Sequence, residues 1–159
     1  IIIIYMSYTI TLTNRVDIGT NSEYTNQFQE PLVINPNSYV QLINVFMEKQ
    51  NTGNPGDGLF LTIPELSFGN TYWTNQSNNS EKNGCIAMIG DFPNLMPVGD
   101  DKLVSNISYP KISLNNAGKI ILNSLTIQIR TRTNDIVPAP TLLNSAFTIQ
   151  ITDNPMLLS

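Results

Sequence analysis

Three stretches of the chain alternate between apolar and polar residues, which is the pattern of a half-buried β-strand. In residues 123–132, leucine and isoleucine fall on one side, whereas threonine, glutamine and arginine fall on the other. Residues 146–152 and residues 8–13 repeat this pattern. We therefore predict three strands that each have one face in a core and one face in water, and we expect 123–132 and 146–152 to close one β-sandwich.

Shorter apolar runs predict further strands, because segments rich in Asn, Asp, Gly and Pro separate them. Pro31 has no amide hydrogen to donate and should lie at a sheet edge or a strand start, and Pro110 should break the last run. No amphipathic helix is evident, so we predict an all-β fold of about eight strands at the spacing of a sandwich. The runs span 24–34, 39–48, 59–63, 85–89 and 103–114.

The run 39–48 is apolar on both sides of a two-residue repeat. Val40, Leu42 and Phe46 fall on one face, and the opposite face is also apolar, with Val45 among its residues. A strand of this kind is expected to be buried on both faces. Either another element of this chain or a neighbouring subunit would cover the second face.

The segment 70–84 is polar apart from two adjacent aromatic residues, Tyr72 and Trp73. It has too few apolar side chains to form a core element, so we predict a long exposed loop. The two aromatic residues have two interpretations. They pack onto the end of the sandwich, or they are a candidate contact for a partner or a sugar.

The chain length of 159 residues fits a single domain, 1–159, which can bury roughly two-thirds of its unfolded surface without disulfides or metals. The leading apolar residues 1–5 are too few to span a bilayer and lack the flanks of a signal peptide. We expect no membrane anchor. Met6 is a plausible initiator, which would make residues 1–5 an upstream extension.

The surface is predicted to be polar but weakly charged. Charged residues make up 13% of the chain, and the formal net charge is -4 with the basic residues scattered. A typical chain has about 25% charged residues, so Asn, Thr, Ser and Gln supply much of the polar surface here. Direct contact with nucleic acid is not expected, because phosphate binding needs a basic patch.

The chemistry of catalysis is largely missing from the composition. There is no histidine, which removes Ser-His-Asp and Cys-His mechanisms, and the single cysteine, Cys85, has no basic neighbour that would activate it. We therefore predict a non-enzyme with no cofactor and no metal site. The carboxylates considered for glycosidase chemistry by residue type are Glu65, Asp91, Asp100 and Asp101, and those considered for calcium are Asp57, Asp100 and Asp101.

The order of the strand segments resembles the single jelly-roll capsid proteins of double-stranded DNA viruses, in the lineage of adenoviruses, virophages, polinton-like viruses and giant viruses. The likeness is to their penton or penton-like minor capsid proteins. It includes Phe28-Gln-Glu-Pro-Leu-Val-Ile and Tyr39-Val-Gln-Leu-Ile-Asn-Val, which resemble the paired strands near the start of such barrels. All the segments that carry it are 8–13, 28–34, 39–45, 63–66, 86–93, 109–110, 122–130 and 147–151.

This resemblance implies an eight-stranded single jelly-roll sandwich of two antiparallel sheets. It further implies a structural protein of the virion capsid, a homopentamer at the icosahedral vertices that contacts the major capsid protein and other capsid proteins. The chain has no room for an added outer domain or spike, so a receptor-binding role does not follow.

Two alternatives stay open at this point. The chain could be a minor or cement capsid protein between capsomers, with the same fold in a different position. It could instead be a lectin-like or fibre-head binding module, in which Tyr72 and Trp73 would stack on a sugar face.

Overall fold

The computed structural model describes the strand-forming parts of the chain and the turns that connect several of them. All structural statements below refer to these residues. The described ranges are 2–4, 7–14, 22–49, 59–67, 72–74, 80–82, 84–90, 102–105, 109–131, 133–137, 142–153 and 156–158.

The described residues are almost entirely β-strand, with a short 3-10 turn, η1, after the fifth strand. The elements are β1 (Ile2–Ile4), β2 (Ser7–Thr13), β3 (Glu23–Ile34), β4 (Tyr39–Lys49), β5 (Leu59–Thr62), η1 (Pro64–Leu66), β6 (Tyr72–Thr74), β7 (Ser80–Lys82), β8 (Cys85–Gly90), β9 (Lys102–Ser105), β10 (Ile112–Ser113), β11 (Ile120–Thr131), β12 (Leu142–Thr152) and β13 (Met156–Leu158).

Two antiparallel sheets form the sandwich. The first sheet has the order β2-β12-β4, and β9 and β10 both pair with the far side of β4. These two short strands share one edge and are separated by a segment that contains Pro110, as the sequence predicts for a broken strand. The second sheet has the order β3-β11-β5-β8. Each sheet therefore has four strand positions.

The strand order is that of a jelly roll. With β9 and β10 counted as one position, the first sheet contains the first, eighth, third and sixth strands of the sandwich. The second sheet contains the second, seventh, fourth and fifth strands. Successive strands therefore cross repeatedly between the sheets, which is the connectivity of an eight-stranded jelly roll. The predicted fold class is confirmed.

The core lies between the two sheets and is supplied by the alternating strands. Leu125, Ile127 and Ile129 of β11 and the apolar residues of β12, such as Phe147 and Ile149, are completely buried. Each large aliphatic or aromatic side chain buried in this way stabilises the fold by about 1.5–3 kcal/mol. The inward and outward faces predicted for these two strands are confirmed, except at Arg132, which lies outside the described residues.

The interpretation of β4 as a strand buried on both faces is wrong. Thr148 of β12 pairs with Asn44, but the next residue of β12 pairs with Leu42, so β4 has one extra residue, Ile43, at this point. This bulge turns Val45 to the same side as Leu42. The completely buried residues of β4 are therefore Val40, Leu42, Val45 and Met47, whereas Ile43 and Phe46 are only half-buried.

An irregularity also interrupts β3, which is an edge strand of the second sheet. Leu122 pairs with Leu32 and Ser124 pairs with Gln27, so residues 28–31 lie opposite Asn123 alone. Pro31 lies in this bulged part of an edge strand, where its missing N–H removes no ladder hydrogen bond. The edge position predicted for Pro31 is confirmed.

Two small ribbons lie outside the sandwich sheets. In one, β1 pairs with β13, and in the other, β6 pairs with β7. Within the described residues, neither ribbon pairs with a strand of the two main sheets. The prediction that 70–84 is only a loop is therefore wrong for residues 72–74 and 80–82, since backbone pairing between them needs no apolar side chains. The prediction that this segment adds no core strand is consistent with the sheet order.

Candidate functional site

A buried polar network joins two turns and the end of β12 at one end of the sandwich. Its carboxylate is Asp153, which is 6% exposed. Asn35 Nδ2 donates to Asp153 Oδ2 at 2.7 Å, and Ser38 Oγ lies 3.0 Å from Asp153 Oδ1. The Ser38 hydroxyl is also 2.8 Å from the Asn35 carbonyl oxygen, so its single hydrogen is shared between two acceptors. The carboxylate is thus held by side chains of the β3–β4 turn.

Asn116 completes this network from the β10–β11 connection. Its side chain is 4% exposed, and its Oδ1 accepts from the Ser38 backbone N–H at 3.2 Å. Its Nδ2 donates to the carbonyl oxygens of Asn35 at 2.7 Å and Gly118 at 2.9 Å. Both polar atoms of the amide are satisfied, as buried groups require. We refer to Asn35, Ser38, Asn116 and Asp153 as the corner network, and its geometry is that of a structural clamp.

Glu65 also has a structural role in the fold. It lies in η1, directly after β5, where Ile63 N donates to Gly84 O at 3.0 Å. Glu65 Oε2 accepts from the Thr126 backbone N–H at 3.0 Å, and Oε1 accepts from Thr126 Oγ1 at 2.6 Å. The carboxylate therefore substitutes for a strand neighbour of β11 beyond the point where β5 ends.

The outer face of the second sheet carries a second polar network. Gln128 Nε2 donates to Glu23 Oε1 at 2.7 Å, and Gln128 Oε1 accepts from Arg130 at 2.8 Å and 3.1 Å. Arg130 also donates to the Asn134 carbonyl oxygen at 2.6 Å. These side chains are half-buried on the solvent side of β3 and β11. We refer to Glu23, Gln128, Arg130 and Asn134 as the face ladder.

Exposed apolar side chains flank the face ladder on the same sheet. Ile121 is 65% exposed and pairs across the strands with Val33, which is 37% exposed. At the opposite edge of the sheet, Met88 is 59% exposed and pairs with Phe60. The sequence pattern did not single out these residues, because Ile121 and Met88 belong to apolar runs that predict buried strands. Whether these side chains are exposed depends on which face of each strand is directed to the core.

Tyr24 connects the two sheets at another position. Its hydroxyl shares a 3.0 Å hydrogen bond with Ser145 Oγ of β12. Burial raises the pKa of Tyr24 well above its ordinary value, and the hydrogen bond to Ser145 lowers it only in part. The raised pKa makes this phenol a weaker acid than an ordinary tyrosine, and its hydrogen bond to Ser145 links the two sheets.

Cys85 is half-buried at the start of β8. Burial raises the pKa of its thiol, and a hydrogen bond involving the Ala87 backbone lowers it to a smaller extent. A raised pKa makes the thiolate scarce near neutral pH, which agrees with the interpretation of Cys85 as a structural residue.

The structure locates only part of the residues that the sequence named. Tyr72 and Trp73 lie on β6, where Trp73 pairs through its backbone with Glu81, and the positions of their side chains are outside the description. Asp57, Asp91, Asp100 and Asp101 lie outside the described residues. Among the residues that are described, no three acidic, cysteine or histidine side chains come together.

No described helix is long and apolar enough to cross a membrane. Comparison with known proteins adds no family assignment. No protein-family model matches the chain, and no curated protein matches it significantly. The arguments for function therefore come from the fold, the surface and the sequence resemblance.

Proposed function

We propose that this chain is a structural subunit of a viral capsid. The observation that carries the proposal is the jelly-roll strand order, because it agrees with the layout on which the resemblance to capsid proteins rests. Fold alone does not imply function, since jelly rolls host unrelated activities. The proposal therefore also depends on the character of the surface.

The described surface is suited to broad protein contacts. Charged residues are scarce over the whole chain, so few charges need to lose water when an interface closes. The outer face of the second sheet adds Met88 and the cross-strand pair of Ile121 and Val33 as exposed apolar groups. Burial of such groups against a neighbouring subunit would contribute about 25 cal/mol for each Å² of apolar surface removed from water.

The outer face of β4 offers little support for assembly. A strand that is apolar on both faces would need a cover for its second face, but the bulge at Ile43 directs Val45 and Met47 of that face into the core of the sandwich. Among the apolar residues of that strand, Ile43 and Phe46 are half-buried. The proposal therefore assigns subunit contacts to the second sheet in preference to the outer face of β4.

The specific form of the proposal is a penton subunit. Five copies would gather around each icosahedral vertex and contact the major capsid protein and other capsid proteins of the virion. Native mass spectrometry of the purified protein should then give pentamers, and fivefold density at the vertices of particles should fit this jelly roll. A protein that stays monomeric at high concentration and is absent from purified particles would contradict the proposal.

Surface variants test which face makes the contacts. Met88→Asp and Ile121→Asp each place a charge at an exposed apolar position and should shift pentamers towards monomers. Asn44→Asp, on the exposed side of β4, is the matched control and should leave the pentamer unchanged. Equal effects from all three variants would remove the second sheet as the contact surface.

Two other functions can be distinguished by experiment. A cement protein between capsomers would appear in particles away from the fivefold axes. A lectin-like module is favoured by one observation, that Tyr72 and Trp73 lie on a ribbon that pairs with neither main sheet. Binding to a glycan array that is lost in Trp73→Ala would support the module and contradict a purely structural role.

A further inference from the structure

The strand β2 has one edge that no described strand covers. In an antiparallel pair, alternate residues direct their N–H and C=O groups to the partner and away from it. Asn14 N donates to Ser145 O at 3.2 Å on the β12 side, which places Thr13, Thr11 and Thr9 in the set that faces away. The backbone groups of Thr9 and Thr11 therefore point to the open edge.

At Thr13, one end of this edge is already occupied by a side-chain amide that resembles a peptide group. The Asn26 side-chain amide bonds the backbone of Thr13 twice, since Oδ1 accepts from Thr13 N and Nδ2 donates to Thr13 O, both at 3.1 Å. A carboxamide offers the same donor and acceptor as a peptide group. Asn26 thus acts as one unit of a neighbouring strand and also limits how far an added strand could extend.

A groove of about 530 Å³ runs beside the open part of β2. It lies between β2 and the bulged part of β3, and its lining includes Tyr8, Ile10, Phe28 and Leu32. Ile10, Phe28 and Leu32 are only partly buried and pack against the core, so their outer surfaces form an apolar floor. Among the lining residues, Glu30 is the single charged one, and it is exposed.

We infer that this groove binds an extended segment of a different protein, which adds as a strand to the open edge of β2. Main-chain hydrogen bonds to Thr9 and Thr11 would hold the segment, and alternate side chains would enter the groove. The segment would carry small apolar residues at these alternate positions and one lysine or arginine opposite Glu30. This inference does not depend on the proposed capsid role.

Charge argues for a different protein over a second copy of this chain. Pairing of two β2 edges would bring together two grooves that each hold Glu30, and no cation lines either groove. Like charges brought together at an interface are unfavourable and disfavour the wrong partner. A single extended segment that carries a lysine or arginine supplies the opposite charge and occupies only the width of one strand.

A short synthetic peptide is the appropriate probe. In acetyl-Val-Thr-Lys-Thr-Val-amide, the two threonines would pair with Thr9 and Thr11 on the outer face, where Thr11 Oγ1 already lies 3.1 Å from Thr148 Oγ1. The valines and the lysine would point into the groove. Titration followed by NMR should shift the amide signals of Thr9 and Thr11. The control peptide carries N-methyl groups on both threonine amides, which removes the two N–H donors to Thr9 and Thr11 and places a methyl group between the strands.

Variants of the protein separate the backbone contact from the side-chain contact. Thr11→Pro removes the outward N–H but leaves the ladder to β12 intact, since proline is tolerated on the open side of an edge strand. Because one hydrogen bond to the peptide is lost, Thr11→Pro should weaken peptide binding about tenfold or more. Thr11→Val keeps the backbone N–H and should change the affinity less than about twofold. Glu30→Lys should reverse the preference and favour the peptide with glutamate in place of lysine.

The outcomes decide the inference in either direction. The inference is supported if the N-methylated peptide does not bind and if Glu30→Lys reverses the preference between the lysine and glutamate peptides. The N-methylated peptide tests the backbone contact on the unaltered protein, so the test stands even if Thr11→Pro does not fold. Absence of shifts at millimolar peptide, or equal binding of the N-methylated peptide, would overturn it. Sedimentation that shows self-association of the protein, lost in Thr11→Pro, would also overturn it, because a second copy would then close the β2 edge.

Discussion

The corner network and the face ladder use the same kinds of side chain in different surroundings. In the corner network, Asn116 and Asp153 are at most 6% exposed, and all their side-chain polar atoms have protein partners. In the face ladder, Gln128 and Arg130 are half-buried on the outside of a sheet, where water can replace a lost partner. Burial, rather than the number of hydrogen bonds, is therefore expected to decide how much each network matters.

The difference in burial separates residues that stabilise the fold from residues that are available for contacts with other proteins. A buried group left without a partner costs about 1–3 kcal/mol, whereas an exposed one costs little because water binds it. The corner network should therefore hold the turns in place and tolerate little change. The outer face of the second sheet can change without loss of the fold, which is the property that an assembly surface needs.

The largest effect is expected from Asn116→Ala. The change leaves the buried Ser38 backbone N–H without its partner and removes a donor from the carbonyl oxygens of Asn35 and Gly118, although the Asn35 oxygen keeps the Ser38 hydroxyl, so the free energy of unfolding should fall by about 3 kcal/mol. Urea denaturation measures the loss. Asn123→Ala, at an exposed position of β11, is the matched control and should change stability by less than about 0.5 kcal/mol. A loss below about 1 kcal/mol for Asn116→Ala would contradict the importance of burial.

A smaller effect is expected from Asp153→Asn. One carboxylate oxygen becomes an NH₂ group, which cannot accept from Asn35 Nδ2 or the Ser38 hydroxyl, and stability should fall by about 2 kcal/mol. The control is Asp135→Asn, since Asp135 accepts from Thr133 Oγ1 at 2.7 Å at an exposed site. Equal losses in the two variants, compared by thermal and urea denaturation, would remove the distinction between buried and exposed networks.

Alkaline pH tests whether burial also determines the contribution of a polar group outside the corner network, the Tyr24 hydroxyl. The pKa of Tyr24 is raised in the folded protein, so its neutral form stabilises the fold below the unfolded pKa of about 10, and this stability is lost as pH rises above it. The loss should approach about 1.4 kcal/mol for each pH unit above 10. Tyr24→Phe should reduce this slope, whereas Tyr39→Phe, at a 37% exposed residue, serves as the control. Identical slopes in the unaltered protein and Tyr24→Phe would contradict the prediction.

The smallest effect is expected from the face ladder. Arg130→Ala removes hydrogen bonds to Gln128 and Asn134, but water can solvate both, so stability should fall by only about 0.5 kcal/mol. A double-mutant cycle with Gln128→Ala measures their coupling. A coupling above about 2 kcal/mol would show that the ladder behaves like the corner network.

Some of the candidate site could be predicted from sequence, but the larger part could not. The spacing of Leu125, Ile127 and Ile129 predicted the core side of β11, and Pro31 predicted a sheet edge. The open edge of β2 and its groove could not be found in this way, because a strand pattern does not say whether a partner covers the strand. Tyr72 and Trp73 stay predictions, since the structure describes only their backbone.

The inward faces of β11 and β12 could be predicted from the sequence, because alternation with a period of two is a local property of an extended chain. The sequence did not determine the bulge at Ile43, which is visible only in the pairing of β4 with β12. It also did not predict that Asp153, which follows β12, would be buried against the β3–β4 turn. Both features depend on which distant residues the sheet order brings together, and local sequence patterns do not contain that information.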